Sequence, residues 1–142
     1  PKIPSQKIID AWNSMILDFP EHRLEFIENL ALKNKYKLLL LSNTNDLHMQ
    51  QVIKNMGRVR FSRFKNCFDK FYLSQHIHLT KPANSIYEFV LQSNNLQADE
   101  CLFIDDLKEN TEAALKMGIH VWNIIPTAQD VTQLFDLKTD IF

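Results

Sequence analysis

Glycine is almost missing from this sequence. Only Gly57 and Gly118 occur in 142 residues, so the glycine-rich loops that cradle phosphates or dinucleotides are excluded. Cysteine is as sparse. Cys67 and Cys101 are too few for a disulfide framework and lack zinc-site spacing, which points to a reducing, cytoplasmic setting. An excess of one charge is lacking too: 16 Lys and Arg stand against 17 Asp and Glu, for a net charge of -1. No general attraction to nucleic acid or to an anionic membrane follows from that balance. The apolar runs fall far short of a membrane span, and the polar first residues predict no signal-peptide core. Internal repeats and low-complexity tracts are absent as well.

What is present suits a soluble globular domain: 45% hydrophobic and 11% aromatic residues, on a chain long enough for one real core. Ile8, Ile9, Trp12, Met15 and Ile16 recur at spacings of three and four, predicting a helix over 5–17. A second helix is expected from "DFPEHRLEFIENLALKN", with Asp18 and Glu21 spaced as a capping box and Pro20 in the first turn. Its buried stripe would be Leu24, Ile27, Leu30 and Ala31. "YKLLLLSN" reads as a strand buried on both faces, although leucine alone does not exclude helix. Further strands are expected at 70–75, 101–106 and 119–125, and helices at 46–56, 84–94 and 108–117. Strands alternating with helices predict an α/β fold with a mainly parallel sheet. Ligands in such folds gather at the carboxyl ends of the strands, which places Ser42, Asn43, Asp105 and Asp106 on one rim.

Three segments carry the chemistry: "LLLLSNTND" (38–46), "LTKPANSIYEFVL" (79–91) and "CLFIDDLKENTEAALKMGIHVWNI" (101–124). They supply a hydroxyl and backbone amides, then a lysine, then paired carboxylates with Asn110 one helical turn beyond. Hard carboxylate and amide oxygens suit magnesium, while a lysine and polar donors suit a transferring phosphoryl group. Each segment alone has a plainer reading. Asp106 could cap the next helix, Ser42 and Asn43 could be turn residues, and Lys81 could be a solvated surface lysine.

Taken in order, the three segments resemble the haloacid dehalogenase (HAD) superfamily, in particular its helically capped subfamily I and phosphatases of the alpha-D-glucose-1-phosphate phosphatase type. The likeness runs from about residue 18 to residue 125. It implies a three-layer HAD-like α/β/α core over 18–142, with 1–17 a remnant of a helical cap. It also implies catalytic and phosphate-binding roles for Ser42, Asn43 and Lys81, and Mg2+ as cofactor. Asp106 would be the direct metal ligand, Asp105 would act through metal-bound water, and Asn110 would orient that shell. The expected substrate is a small phosphorylated metabolite such as a sugar phosphate, with no nucleic acid or membrane partner.

One departure matters. The family's first motif, an Asp-x-Asp pair whose first aspartate forms the aspartyl-phosphate, occurs nowhere here; Asp10 and Asp18 have the wrong spacing. The expectation is a carboxyl-terminal portion of a longer enzyme, lacking the first central strand and inactive alone until joined to the missing amino-terminal segment. The alternative is a non-catalytic HAD-like binding or regulatory domain. A receiver domain is disfavoured because its acids precede its lysine, and metal-free dehalogenase chemistry is disfavoured by the complete Asp105, Asp106 and Asn110 set. Elsewhere, His76 and His78 are expected in a surface loop rather than on zinc. The basic stretch "KNMGRVRFSRFKN" is expected to be a solvated face rather than an RNA site, Trp12 is expected to pack on its helix, and Cys101 is expected in the core.

Overall fold

The structure, a computed structural model, describes residues 19–141. The expected helix over 5–17, Trp12, Asp10 and the Asp18 half of the capping box lie outside the described residues. The chain divides into two compact units, one ending at Ile77 and the other starting at His78.

The first unit opens with α1 (Glu21–Leu32), β1 (Leu39–Ser42), α2 (Asp46–Met56) and α3 (Arg58–Asn66), and closes with β2 (Lys70–Leu73) and the short α4 (Ser74–Ile77). Pro20 is the N-cap of α1 rather than a residue of its first turn, and no side chain caps that end. A proline there costs nothing, because a helix start leaves its N–H groups unpaired in any case. Leu24 and Leu30 are buried as expected, whereas Ile27 and Ala31 are only partly covered. β1 and β2 run parallel with Ser42 opposite Leu73, and a parallel pair needs a crossover, which α2 and α3 supply. Gly57 separates those two helices at φ 82, a left-handed conformation that glycine adopts without steric cost.

The leucines of β1 are half-buried rather than buried on both faces. Packing instead concentrates on rings from α3. Phe64 lies 5.0 Å from Phe19 and 5.0 Å from Phe68, and both Phe61 and Phe64 meet Phe71 of β2 at 6.2 Å. These tilted and edge-on contacts suit the ring quadrupole.

The second unit contains α5 (Asn84–Ser93), a 3-10 turn (Ala98–Glu100), β3 (Leu102–Asp105), α6 (Lys108–Lys116) and β4 (His120–Asn123), followed by a 3-10 turn (Val131–Gln133) and the short α7 (Leu134–Leu137). β3 and β4 are again parallel, with Asp105 opposite Asn123 and α6 as crossover. Gly118 ends that crossover at φ 89. Ile86, Tyr87, Ala114, Ile119, Trp122 and Leu134 form the core. Cys101 stands just before β3 and is half-exposed rather than core. The four expected strands are all present, but they pair as two separate two-stranded parallel sheets. Among the described residues, no helix is long and apolar enough to cross a membrane.

Candidate active site

In the second unit, Lys81, Asp105 and Asn110 meet. Lys81 Nζ lies 2.6 Å from Asp105 Oδ2, and the two side chains are only 8% and 7% exposed. The lysine read in isolation as solvated is therefore a buried ion-pair partner, and its Nζ also stands 5.4 Å from the centre of the Phe103 ring. A buried carboxylate needs its lone pairs satisfied as well as its charge. Asn110 Nδ2 approaches both Asp105 oxygens at 3.2 Å, and the Leu107 N–H donates to Asp105 Oδ1 at 2.8 Å.

Asn110 is 2% exposed. Because its NH2 faces the carboxylate, its Oδ1 points away, and no donor among the described residues reaches it. A buried acceptor left unpaired costs about 1–3 kcal/mol, so this oxygen is ready for a donor or a cation. Tyr87 braces the same residue from behind, donating its hydroxyl to the Asn110 carbonyl at 2.8 Å. Burial, reinforced by Asp105 and Glu109, pushes the Tyr87 hydroxyl up to about 12, so it remains a donor throughout the neutral range.

Asp106 differs from its neighbour. It is exposed, and it does not cap α6, whose N-cap is Leu107 without a side-chain bond. The capping explanation for this aspartate is thereby removed. Asn123, which the sequence reading passed over, donates Nδ2 to the carbonyl oxygens of both Asp105 and Asp106. An amide residue, poor in strands, directly opposite the acid pair was the available signal.

Ser42 and Asn43 belong to the first unit, at the carboxyl end of β1. Ser42 is half-buried and Asn43 exposed. The loop beyond them is fastened by Ser74, whose hydroxyl accepts from Thr44 N–H and donates to the Thr44 carbonyl, both at 3.0 Å. Asn45, not Asn43, caps α2 by accepting from His48 N–H at 2.8 Å. His76 is exposed in α4, 3.5 Å from Asp46, and no group of three or more His, Cys, Asp or Glu gathers for a metal among the described residues. Two residues of the basic stretch, Arg60 and Arg63, are engaged with acids. Arg63 forms a two-pronged contact with Glu28 at 2.8 and 2.9 Å, and Arg60 holds Glu21 at 3.2 Å and the Phe19 carbonyl.

Parallel β-α units, with acids at the end of β3 and an amide and a lysine gathered on one of them, define an α/β domain of the kind whose ligands gather at the carboxyl ends of the strands. The chain belongs to the haloacid dehalogenase-like hydrolase family, whose profile matches residues 5–124. It is 29% identical over 112 residues to a D-ribitol-5-phosphate phosphatase of Bacteroides thetaiotaomicron, across 79% of this chain and 53% of that protein. Among solved structures, a HAD family enzyme of Bacteroides thetaiotaomicron in complex with magnesium superposes with a TM-score of 0.78 at 33% identity, over 94% of this chain and 66% of that one. A predicted HAD-like family hydrolase from Porphyromonas gingivalis gives a TM-score of 0.65 at 27% identity, over 94% and 66% of the two chains. The chain thus spans about half the length of the curated relative and just under two thirds of these solved ones.

Proposed function

We propose that this chain is the metal-holding portion of a magnesium-dependent phosphomonoester hydrolase acting on a small phosphorylated metabolite, a sugar or polyol phosphate. The observation that carries this reading is the buried Lys81–Asp105–Asn110 cluster with the exposed Asp106 carboxylate beside it. Support comes from a relative named as a phosphatase of D-ribitol 5-phosphate and from a related HAD enzyme solved with magnesium and inorganic phosphate.

The donor chemistry fits a hard cation on one side. Asp106 offers an exposed carboxylate and Asn110 an amide oxygen awaiting a partner, both oxygen donors of the kind Mg2+ prefers. Asp105, already neutralised by Lys81, contributes through water. Among the described residues no group of three or more His, Cys, Asp or Glu gathers, so the remaining ligands would be water and residues beyond them. Bound there, magnesium supplies Lewis-acid stabilisation of phosphoryl charge. Lys81 adds positive charge, while Ser42 Oγ and the Asn43 N–H are the hydrogen-bond donors for phosphoryl oxygens. The nucleophile is an aspartate in a segment preceding Pro1, and the finer relationship is to capped subfamily I enzymes of the alpha-D-glucose-1-phosphate phosphatase type. That β1 and β3 each have a single ladder partner among the described residues supports a further strand in the whole protein.

A second reading, a HAD-like binding or regulatory domain without turnover, is favoured by one observation: no Asp-x-Asp pair exists in the 142 residues. The intact mass of the native protein, with the coding sequence upstream of Pro1, separates the two. An upstream apolar strand ending in Asp-x-Asp is expected. A native product starting at Pro1 would establish the binding domain instead.

A further inference from the structure

The turn that carries the two acids is gripped from the neighbouring strand. Asn123 stands level with Asp105 in the β3–β4 register. Its Nδ2 donates to the Asp105 carbonyl at 3.1 Å and to the Asp106 carbonyl at 3.0 Å. An amide NH2 has two hydrogens, so one side chain holds both peptide groups that flank Asp106. The Asp105 carbonyl is held a second time by the Ile124 N–H at 3.1 Å.

The two carboxylates are anchored in different ways. That of Asp105 is fixed directly, by Lys81, Asn110 and the Leu107 N–H. That of Asp106 is exposed and takes no part in the network, so its direction is set by its own backbone. We propose that Asn123 is the positioning residue for Asp106, fixing the main chain on either side of it and thereby aiming its carboxylate at a divalent cation. The aiming role rests on the reading of Asp106 as a metal ligand; the grip on the backbone does not. Groups that orient metal ligands without touching the metal characteristically change affinity by about 10–100-fold when removed.

The test uses this chain joined to its native upstream segment, with Asn123→Ala and with Asn123→Asp, which keeps the side-chain size but removes the donor. Without metal, amide exchange at Leu107 is expected to quicken roughly tenfold or more in both variants, while the Ala114 amide, inside α6, stays as in the wild type. In a Mg2+ titration, both variants are expected to bind on the order of tenfold more weakly. Trp122→Phe, which removes the adjacent indole bond to Gln129, should leave Mg2+ affinity unmoved, separating aiming from general loosening of β4. Unchanged exchange at Leu107 in both variants would overturn the grip. Faster exchange with unaltered Mg2+ affinity would overturn the aiming role. If wild type and Asp106→Ala bind Mg2+ equally, the metal reading of Asp106 fails and the aiming role fails with it, while faster exchange at Leu107 marks the grip as intact.

Discussion

At the scale of single residues, the decisive contact is Lys81 with Asp105, 2.6 Å apart and almost wholly out of water. Breaking one half of such a pair strands the other charge, at a cost of about 3–5 kcal/mol. Lys81→Met is therefore expected to destabilise the protein by that amount in urea unfolding. The double variant Lys81→Met/Asp105→Leu should cost clearly less than the sum of its two singles, and strict additivity would show the pair to be uncoupled. The thiols give a second prediction. Burial pushes both Cys67 and Cys101 up from the ordinary thiol range, so neither is thiolate-rich at neutral pH. Alkylation at pH 7 should be slower than for free cysteine at both positions; labelling of either as fast as free cysteine would contradict a thiol held above its ordinary range.

Legibility at this scale was uneven for a physical reason. Asp105, Asp106 and Asn110 are close in sequence and could be read together. Lys81 reaches Asp105 across 24 positions, so only the fold reveals that it is buried. Asn123 lies in the third segment but was given no role there, and it matters because the parallel register sets it opposite Asp105.

Among the elements, α3 shows how a basic segment is neutralised. Phe61 and Phe64 turn inward to Phe71, while Arg60 and Arg63 face Glu21 and Glu28 of α1. Hydrogen bonding from Arg63 holds the Glu28 carboxyl below the usual glutamate range. The unfolded chain then takes up this proton at a higher pH than the folded one. The resulting stability is present above the ordinary glutamate value and is lost as pH falls through the lower folded value. Acid unfolding of Arg63→Met should show a shallower loss across that window, and an unchanged profile would show that the contact is not thermodynamically linked to pH. Both partners are partly exposed, so the effect is modest and shrinks in high salt.

The four strands and the helices α1, α2, α5 and α6 were marked in the sequence by apolar runs and the two glycines. The helices α3, α4 and α7 were not, and α4 takes the last two residues of the strand expected at 70–75. Burial was not marked either. Four consecutive leucines imply a doubly covered strand, but β1 has one ladder partner among the described residues and stays half-buried. Helix periodicity likewise could not say that Leu24 and Leu30 would be covered more fully than Ile27.

For the whole molecule, two parallel β-α units divide the expected phosphoryl-handling residues. Ser42 and Asn43 lie in one, and Lys81, Asp105, Asp106 and Asn110 in the other. Family membership follows from the match over residues 5–124, whereas the substrate belongs to the proposal, because the chain spans only 53% of its curated relative. The most direct measurement is phosphate release from D-ribitol 5-phosphate and other small sugar phosphates by this chain joined to its native upstream segment. The account predicts release that requires Mg2+, stops with a chelator, and falls by at least about a thousandfold in Asp106→Ala, as loss of metal-borne charge stabilisation demands. Release that persists in chelator, or that is unchanged by Asp106→Ala, would contradict it.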